Sequence, residues 1–376
     1  MPSPVERILL LTHELCFRGS SILALRLAQG LEANRIETVV LCTHRSPLDA
    51  NLTNNVRIID VPGYTMPIWG RVVHRTVLQN LIDQPPDVIH VQGPKLLPQA
   101  IWLGRTLERP VVLSLTDQCE AARIVLPSQA NVCRAIACIS DSVKAALPSR
   151  LEQIEQRVIL PGVPFDLERR DAPLLEEGRD PVVGMAGPLE AIKGGSFFLR
   201  ACHRVIEAGV SIRIVVTGSG PEGKNLRRLA TSLELDPCVT FVDDGIAMSA
   251  YLSAIDIFCL PSLQQGFGVI MLQAMALGRP VIASGVGGIL SIIEDEKCGL
   301  IVPPSDSRAL ADHILELLRD PEKARRLAIA GKNLVEDRFT TERMVNETIA
   351  LYNDVAKTES TSVASIPIAT AKDGVA

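Results

Sequence analysis

The sequence predicts an α/β protein made of two doubly wound parallel sheets that face a central cleft. Three observations carry this. Short apolar runs alternate with longer segments of helical periodicity, the order that a parallel sheet with crossover helices requires. The alternation stops after residue 140 and begins again at residue 182. At 376 residues, 47% hydrophobic and 22% charged, the chain is long enough to bury two cores.

The runs at 6–12, 38–43, 56–61, 87–91, 110–115 and 135–140 are short, rich in Val, Ile and Leu, and bounded by polar, Gly or Pro residues. Each is therefore predicted as a strand buried on both faces. Between the first two, apolar residues at 22, 23, 25, 27, 28 and 31 mark one face of a helix. In the second half, PVVGMAG, SIRIVVTGSG (211–220), VTFVDD (239–244), IDIFCLPS (255–262) and PVIASG (280–285) are the strand candidates, with helices over 196–208 and around 222–233. DHILELLRD and PEKARRLAIAGKNLVEDRF follow as amphipathic helical segments.

The predicted organisation is a first Rossmann-like unit over 1–165, a charged and proline-containing linker over 166–181, and a second unit over 182–339. A last helix over 340–357 is expected to pack back toward the first unit. The tail over 358–376, rich in small polar residues, is expected to be disordered.

A net charge of −5 gives no reason to expect a nucleic-acid partner. Nine scattered cysteines contain no CxxC, so neither a zinc site nor a disulfide framework is indicated, and buried reduced thiols are expected. No metal cluster is visible, Asp243 and Asp244 being read as a strand-end turn, and no cofactor is implied. The apolar run at 8–11 is too short for a signal peptide, and no segment reaches the about 18 apolar residues of a membrane span. The expected compartment is the cytoplasm. WGRVVHRTVLQNLI (69–82), with Trp69, Arg71, His74 and Arg75, is a candidate peripheral contact with the inner face of the membrane, although a packed helix with a polar edge explains it as well.

Open parallel sheets bind ligands at the carboxyl ends of their strands. Three junctions of that kind stand out. VTGSGPEGKNLRRLA (216–230) places Gly218 and Gly220 between a strand and a helix, where backbone N–H groups can approach a phosphate. A tight turn without a ligand accounts for the same glycines. GPLEAIKGGSFFLRAC (187–202) sets Gly187 and Lys193 before a Gly-Gly pair, and a lysine at a helix N-terminus suits a diphosphate. QQGFGVIMLQAMALGRPVIAS lets Gly266, Phe267 and Gly268 turn at the mouth of a helix, with Gln265 before the turn and Gln273 expected to look into the pocket.

Residues 261–306, together with VTGSGP, FVDDGIAMSAYLSAIDIFCLPS and GPLEAIKGG, resemble the donor-binding domain of retaining GT-B glycosyltransferases of family 4. The resemblance covers 182–350 well and the first half by layout. It implies a GT-B fold with an acceptor-side first domain, a nucleotide-sugar donor, and a glycan or lipid-linked acceptor. In that family one glutamate lies near the transferred sugar, a second, after seven intervening residues, bonds the ribose, and an arginine and a lysine hold the diphosphate. Lys193 matches the lysine, whereas Pro188 stands in place of the arginine, and Gln265 and Gln273 in place of the two glutamates. Gly19 and Ser20 fall where the family has an acceptor-side Gly-Gly loop, and Thr116 where it often has a histidine. His90 is a further acceptor-side candidate, a buried hydrogen-bonded histidine being the competing assignment.

The resemblance thus implies hexosyl transfer with retention, with Lys193 and Gln265 as catalytic candidates. The amide-for-carboxylate exchanges leave a second possibility, a catalytically degenerate GT-B protein that binds a sugar nucleotide or acts as a scaffold. A sugar-nucleotide epimerase on the same two-domain plan fits the layout over 261–306 less well.

Overall fold

Seven strands of the first half form one sheet: β1 (Arg7–Leu15), β2 (Glu37–Arg45), β3 (Arg57–Asp60), β4 (Val88–Gln92), β5 (Val111–Leu115), β6 (Cys133–Cys138) and β7 (Glu155–Val158). The structure is a computed structural model that describes residues 5–16, 19–46, 53–66, 69–126, 130–164, 174–176, 178–242 and 248–362. The sheet order is β3-β2-β1-β4-β5-β6-β7 and the pairings are parallel. Central β1 buries Ile8, Leu9, Leu10 and Leu11. Helices cover both of its faces, which is why its sequence is an unbroken apolar run.

A second parallel sheet holds β8 (Val182–Ala186), β9 (Arg213–Thr217), β10 (Val239–Val242), β11 (Ile257–Leu260), β12 (Val281–Ser284) and β13 (Leu300–Val302), in the order β10-β9-β8-β11-β12-β13. In both sheets the strand order reverses beside the first strand, between β1 and β4 and between β8 and β11. Those reversals open crevices at the carboxyl ends of the strands.

The helices among the described residues are α1 (Gly19–Ala33), α2 (Trp69–Ile82), α3 (Leu97–Leu107), α4 (Gln118–Arg123), α5 (Asp141–Ala145), α6 (Gly195–Glu207), α7 (Gly223–Ser232), α8 (Met248–Ala254), α9 (Val269–Ala276), α10 (Ser307–Arg319), α11 (Pro321–Arg338) and α12 (Thr341–Ser362). Their starts follow local chemistry. Asp117, Ser140, Asp306 and Asp320 each accept backbone N–H bonds at the head of α4, α5, α10 and α11.

Helix α12 returns to the first half. Tyr352 and Leu351 are fully buried there, and a side chain at Gly30 of α1 would lie 2.3 Å from Val345. Val163 N–H donates to the Phe339 carbonyl at 2.8 Å, and Arg26 Nη1 to the Gly162 carbonyl at 3.2 Å, where the chain crosses between halves.

Four features depart from the sequence reading or fall beyond it. β7 and β13 were not among the expected strands: β7 reads EQRV on a sheet edge and is only partly buried, and β13 has three residues. α12 continues to Ser362 rather than ending at 357, because extending an established helix costs far less than nucleating one. Asp243, Asp244, residues 166–173 of the linker and residues 363–376 of the tail lie outside the described residues. On α2, His74 is turned into the protein, with Nε2 3.1 Å from the Tyr64 carbonyl and its ring 4.6 Å from Tyr64 and 5.1 Å from Trp102. The side chains of Trp69 and Arg71 are outside the description. No helix among the described residues is long and apolar enough to cross a membrane.

Candidate functional site

A cleft of about 980 Å³, open to solvent, lies between the carboxyl ends of the two sheets. Gly19, Ser20, Leu23, Thr116, Asp117 and Ile139 line it from the first half; Ala186, Gly187, Pro188, Lys193, Leu260 and residues 265–270 line it from the second. The two walls meet closely. A side chain at Gly19 would stand 3.2 Å from Val269, and one at Gly266 would stand 2.9 Å from the Thr116 carbonyl.

Helices α1 and α9 begin on the wall of this cleft and α6 begins two residues after Lys193, so the positive ends of three helix dipoles lie at it. Lys193 closes the short turn before α6. Its geometry depends on Gly194, which sits at φ +71° with its Cα so near the Pro261 carbonyl that a Cβ would be 1.9 Å from the oxygen. Only glycine fits there, and the turn therefore carries Lys193 against the loop after β11. Lys193 Nζ donates to Gln265 Oε1 at 2.8 Å, and Ser262 Oγ donates to the same oxygen at 3.2 Å.

The loop holding Gln265 is shaped from behind by a second glycine pair. A Cβ on Gly287 would lie 1.9 Å from the Gln265 carbonyl, and Gly288 N–H donates to the Gly266 carbonyl at 2.9 Å. Neither Gly287, Gly288, Ser262 nor Asp117 had been singled out in the sequence. A Gly-Gly pair just after a buried strand was a usable signal for the first two. Asp117 follows Thr116 at the end of β5, and its carboxylate accepts from Cys119 and Glu120 N–H at 2.8 and 3.0 Å.

Of the residues expected at the site, Gly19, Ser20, Thr116, Gly187, Lys193, Gln265, Gly266, Phe267 and Gly268 are brought together on the cleft wall. Phe267 contributes mainly backbone, since its buried ring packs edge-on against Phe339 at 5.7 Å. The other four lie elsewhere.

Gly218 and Gly220 do not line the cleft. A Cβ on Gly218 would be 2.0 Å from the Gly187 carbonyl, and one on Gly220 would be 2.5 Å from that of Leu189. Their absent side chains let the turn after β9 pack on the turn after β8, which accounts for both glycines without a ligand.

Gln273 was expected to face the pocket but is only 4% exposed, one helical turn below Val269, and Val269 and Ile270 form the wall above it. Its Oε1 has no hydrogen-bond partner among the described residues.

His90 is also displaced from the cleft. It lines a smaller, largely apolar hollow that shares Leu23, Thr116 and Ile139 with the cleft. Its Nδ1 is 2.5 Å from Tyr352 Oη and its Nε2 is 2.6 Å from Ser114 Oγ, so both ring nitrogens are engaged. Burial pushes the imidazole down to about 3, and it is neutral at physiological pH. A histidine depressed below its unfolded value of about 6.5 favours the folded state fully above that pH and progressively less as pH falls toward the folded value. Wild-type stability is therefore expected to fall faster than that of His90→Gln below pH 6, by up to about 1.4 kcal/mol per pH unit. Urea unfolding of both proteins between pH 7 and pH 5 checks this; parallel slopes would refute it.

Among the described residues no group of three or more His, Cys, Asp or Glu is placed to hold a metal. Six of the nine thiols are buried.

Two parallel α/β sheets facing a cleft, with a lysine and three helix N-termini at it, define a protein of GT-B fold. Comparison with known proteins narrows the class. The family described as Glycosyltransferase Family 4 matches residues 17–167, and that described as Glycosyl transferases group 1 matches residues 180–320. The chain belongs to the family 4 (group 1) glycosyltransferases. It is 26% identical over 314 residues to the phosphatidyl-myo-inositol mannosyltransferase of Mycobacterium leprae, covering 78% of this chain and 80% of that one. It is 28% identical over 222 residues to the alpha-D-kanosaminyltransferase of Streptomyces kanamyceticus, where the match spans 56% of each chain. Among solved structures, Anabaena Alr3699/HepE in complex with UDP and glucose superposes with a TM-score of 0.77 at 19% identity, over 95% of this chain and all of that one.

Proposed function

We propose that the protein transfers a hexose from a nucleotide sugar to a glycan or lipid-linked acceptor, with retention of anomeric configuration. The contact between Lys193 and Gln265, at a cleft where three helices begin, is the observation that carries this reading. The donor diphosphate would lie against Lys193 and the starts of α6 and α9, in the second unit over 182–339. The acceptor would approach from Gly19, Ser20 and Thr116 in the first unit over 1–165. In the reaction the C–O bond between the anomeric carbon and the diphosphate breaks, the acceptor hydroxyl oxygen bonds that carbon, and its proton leaves with the nucleoside diphosphate. Negative charge grows on the diphosphate as the bond breaks, so Lys193 and the helix dipoles stabilise the transition state more than the ground state.

The described chain has no membrane-crossing helix, and we place the reaction in the cytoplasm, at the inner membrane face when the acceptor is lipid-linked. The mannosyltransferase relative is named for a phosphatidyl-myo-inositol acceptor, which supports the lipid-linked alternative. A non-catalytic sugar-nucleotide-binding protein is the second reading, favoured by Pro188 on the cleft wall where no cation assists Lys193 from that position.

Calorimetry of the purified protein with UDP-, GDP- and ADP-sugars, each beside its free nucleotide, is expected to show micromolar binding of one donor class and to name the sugar for transfer assays. Absence of binding at millimolar ligand would overturn the reading. Binding without turnover across acceptors would favour the non-catalytic protein.

A further inference from the structure

The polarity of Gln265 carries one step more. Lys193 is an ammonium with donors and no acceptor, so the amide can present only its oxygen to it, and Ser262 donates to that oxygen too. The amide is thereby held in one orientation. Among the described residues its nitrogen takes no hydrogen bond, yet it is not among the buried unpartnered atoms. Two N–H donors are therefore left accessible on a residue of the cleft wall.

Their place follows from the neighbours. On one side of Gln265 stands Lys193, the group proposed for the diphosphate; on the other, Gly266 faces the Thr116 carbonyl of the first half, which a side chain there would meet at 2.9 Å. A sugar attached to the diphosphate and awaiting an acceptor from the first half must occupy that interval. This step rests on the nucleotide-sugar reading above. A carboxylate at position 265 would turn an acceptor toward the sugar and repel an anionic one. The amide does the reverse, offering donors and no negative charge. Among the described residues the one acid on the cleft wall, Asp117, already spends an oxygen on the N–H groups of α4.

We propose that Gln265 selects a donor whose transferred sugar carries a carboxylate, a nucleotide-linked uronic acid, because its oriented amide nitrogen donates to that carboxylate where a glutamate would exclude it. Hydrogen bonds to an ionised acceptor are roughly twice as strong as neutral ones, so discrimination should be readily measured.

The test compares UDP-glucose with UDP-glucuronate, and GDP-mannose with GDP-mannuronate, by calorimetry on the full chain, with free UDP and GDP as references. The wild-type protein is expected to bind the uronate at least tenfold tighter than the neutral sugar on the same nucleotide. Gln265→Glu is expected to reverse the order; because a glutamate would also pair with Lys193 and weaken every diphosphate ligand, the readout is the ratio of uronate to neutral-sugar affinity on the same nucleotide, which should fall at least a hundredfold. A cooperative melt and a wild-type far-UV circular dichroism spectrum show that the variant is folded. If the neutral sugar binds as well as or better than the uronate, the proposal fails while the nucleotide-sugar reading stands. Gln265→Glu leaving the preference unchanged would also overturn it. If neither nucleotide nor nucleotide sugar binds, both fail.

Discussion

Replacing Asp256 by alanine is expected to destabilise the protein by about 2–4 kcal/mol, because two backbone N–H groups lose their acceptor and the exposed Arg179 loses its buried partner. Asp256 is fully buried at the entry to β11. Its two oxygens receive Arg179 Nη1 and Nη2, both at 2.7 Å, together with the N–H groups of Leu175 at 3.0 Å and Val182 at 2.8 Å. This carboxylate therefore ties the segment entering the second half to the start of β8 and to the strand beside it.

Burial by itself raises the Asp256 pKa, but the Arg179 hydrogen bonds, the two backbone N–H groups and the Arg179 charge outweigh it and hold the group below its ordinary value. Its stabilising contribution is thus present above the unfolded carboxyl value of about 3.9 and is lost as pH falls through the lower folded value. Arg279, 3% exposed, has its own pKa lowered by burial and is supported by the Asp256 charge, so the alanine variant would leave a second cation without compensation. Asp256→Asn keeps one acceptor and is expected to lose less. Urea unfolding at pH 7 measures both variants, and an alanine cost below about 1 kcal/mol would refute this account.

Lys193→Ala is expected to lower the transfer rate by about 10²–10³, the effect of deleting one preorganised group that meets charge developing in the transition state. It should also weaken the nucleotide sugar and the free diphosphate, while the nucleoside without phosphates is held equally by both proteins. Lys193→Arg should retain part of the diphosphate affinity, because the charge survives and the compact ammonium contact with Gln265 does not. A rate constant unchanged in the alanine variant would remove Lys193 from the site. A loss of nucleoside affinity equal to that of the diphosphate would instead indicate a collapsed loop, since the lysine also braces Gln265.

Several of these features could be read directly from the chain. The strands were visible because a strand covered on both faces must be apolar throughout, as in β1, β4 and β5. β7 escaped because an edge strand answers to solvent on one side and can read EQRV. Lys193 and Gln265 could be named separately, each at the junction of a strand and a helix. That they touch across 72 positions, with Ser262 sharing the same oxygen, could not.

Glycines and histidines show the same boundary. Gly218 and Gly220 sat in a pattern that suits a phosphate, yet the Gly187 and Leu189 carbonyls already occupy the space their side chains would need. His90 closed a strand toward the cleft, but a tyrosine 262 positions away holds it from behind. Gln273 sat at the expected spacing from Gln265, and the packing of α9 placed Val269 and Ile270 above it. By itself the sequence determined the α/β alternation, the two sheets and the chemistry available at each strand end, because periodicity and residue type act over a few neighbouring positions. Only the tertiary structure decided which of those groups share the cleft and which way the Gln265 amide points. Both depend on contacts between segments distant along the chain, where a few tenths of an ångström decide whether a donor meets an acceptor or a methyl group meets a carbonyl.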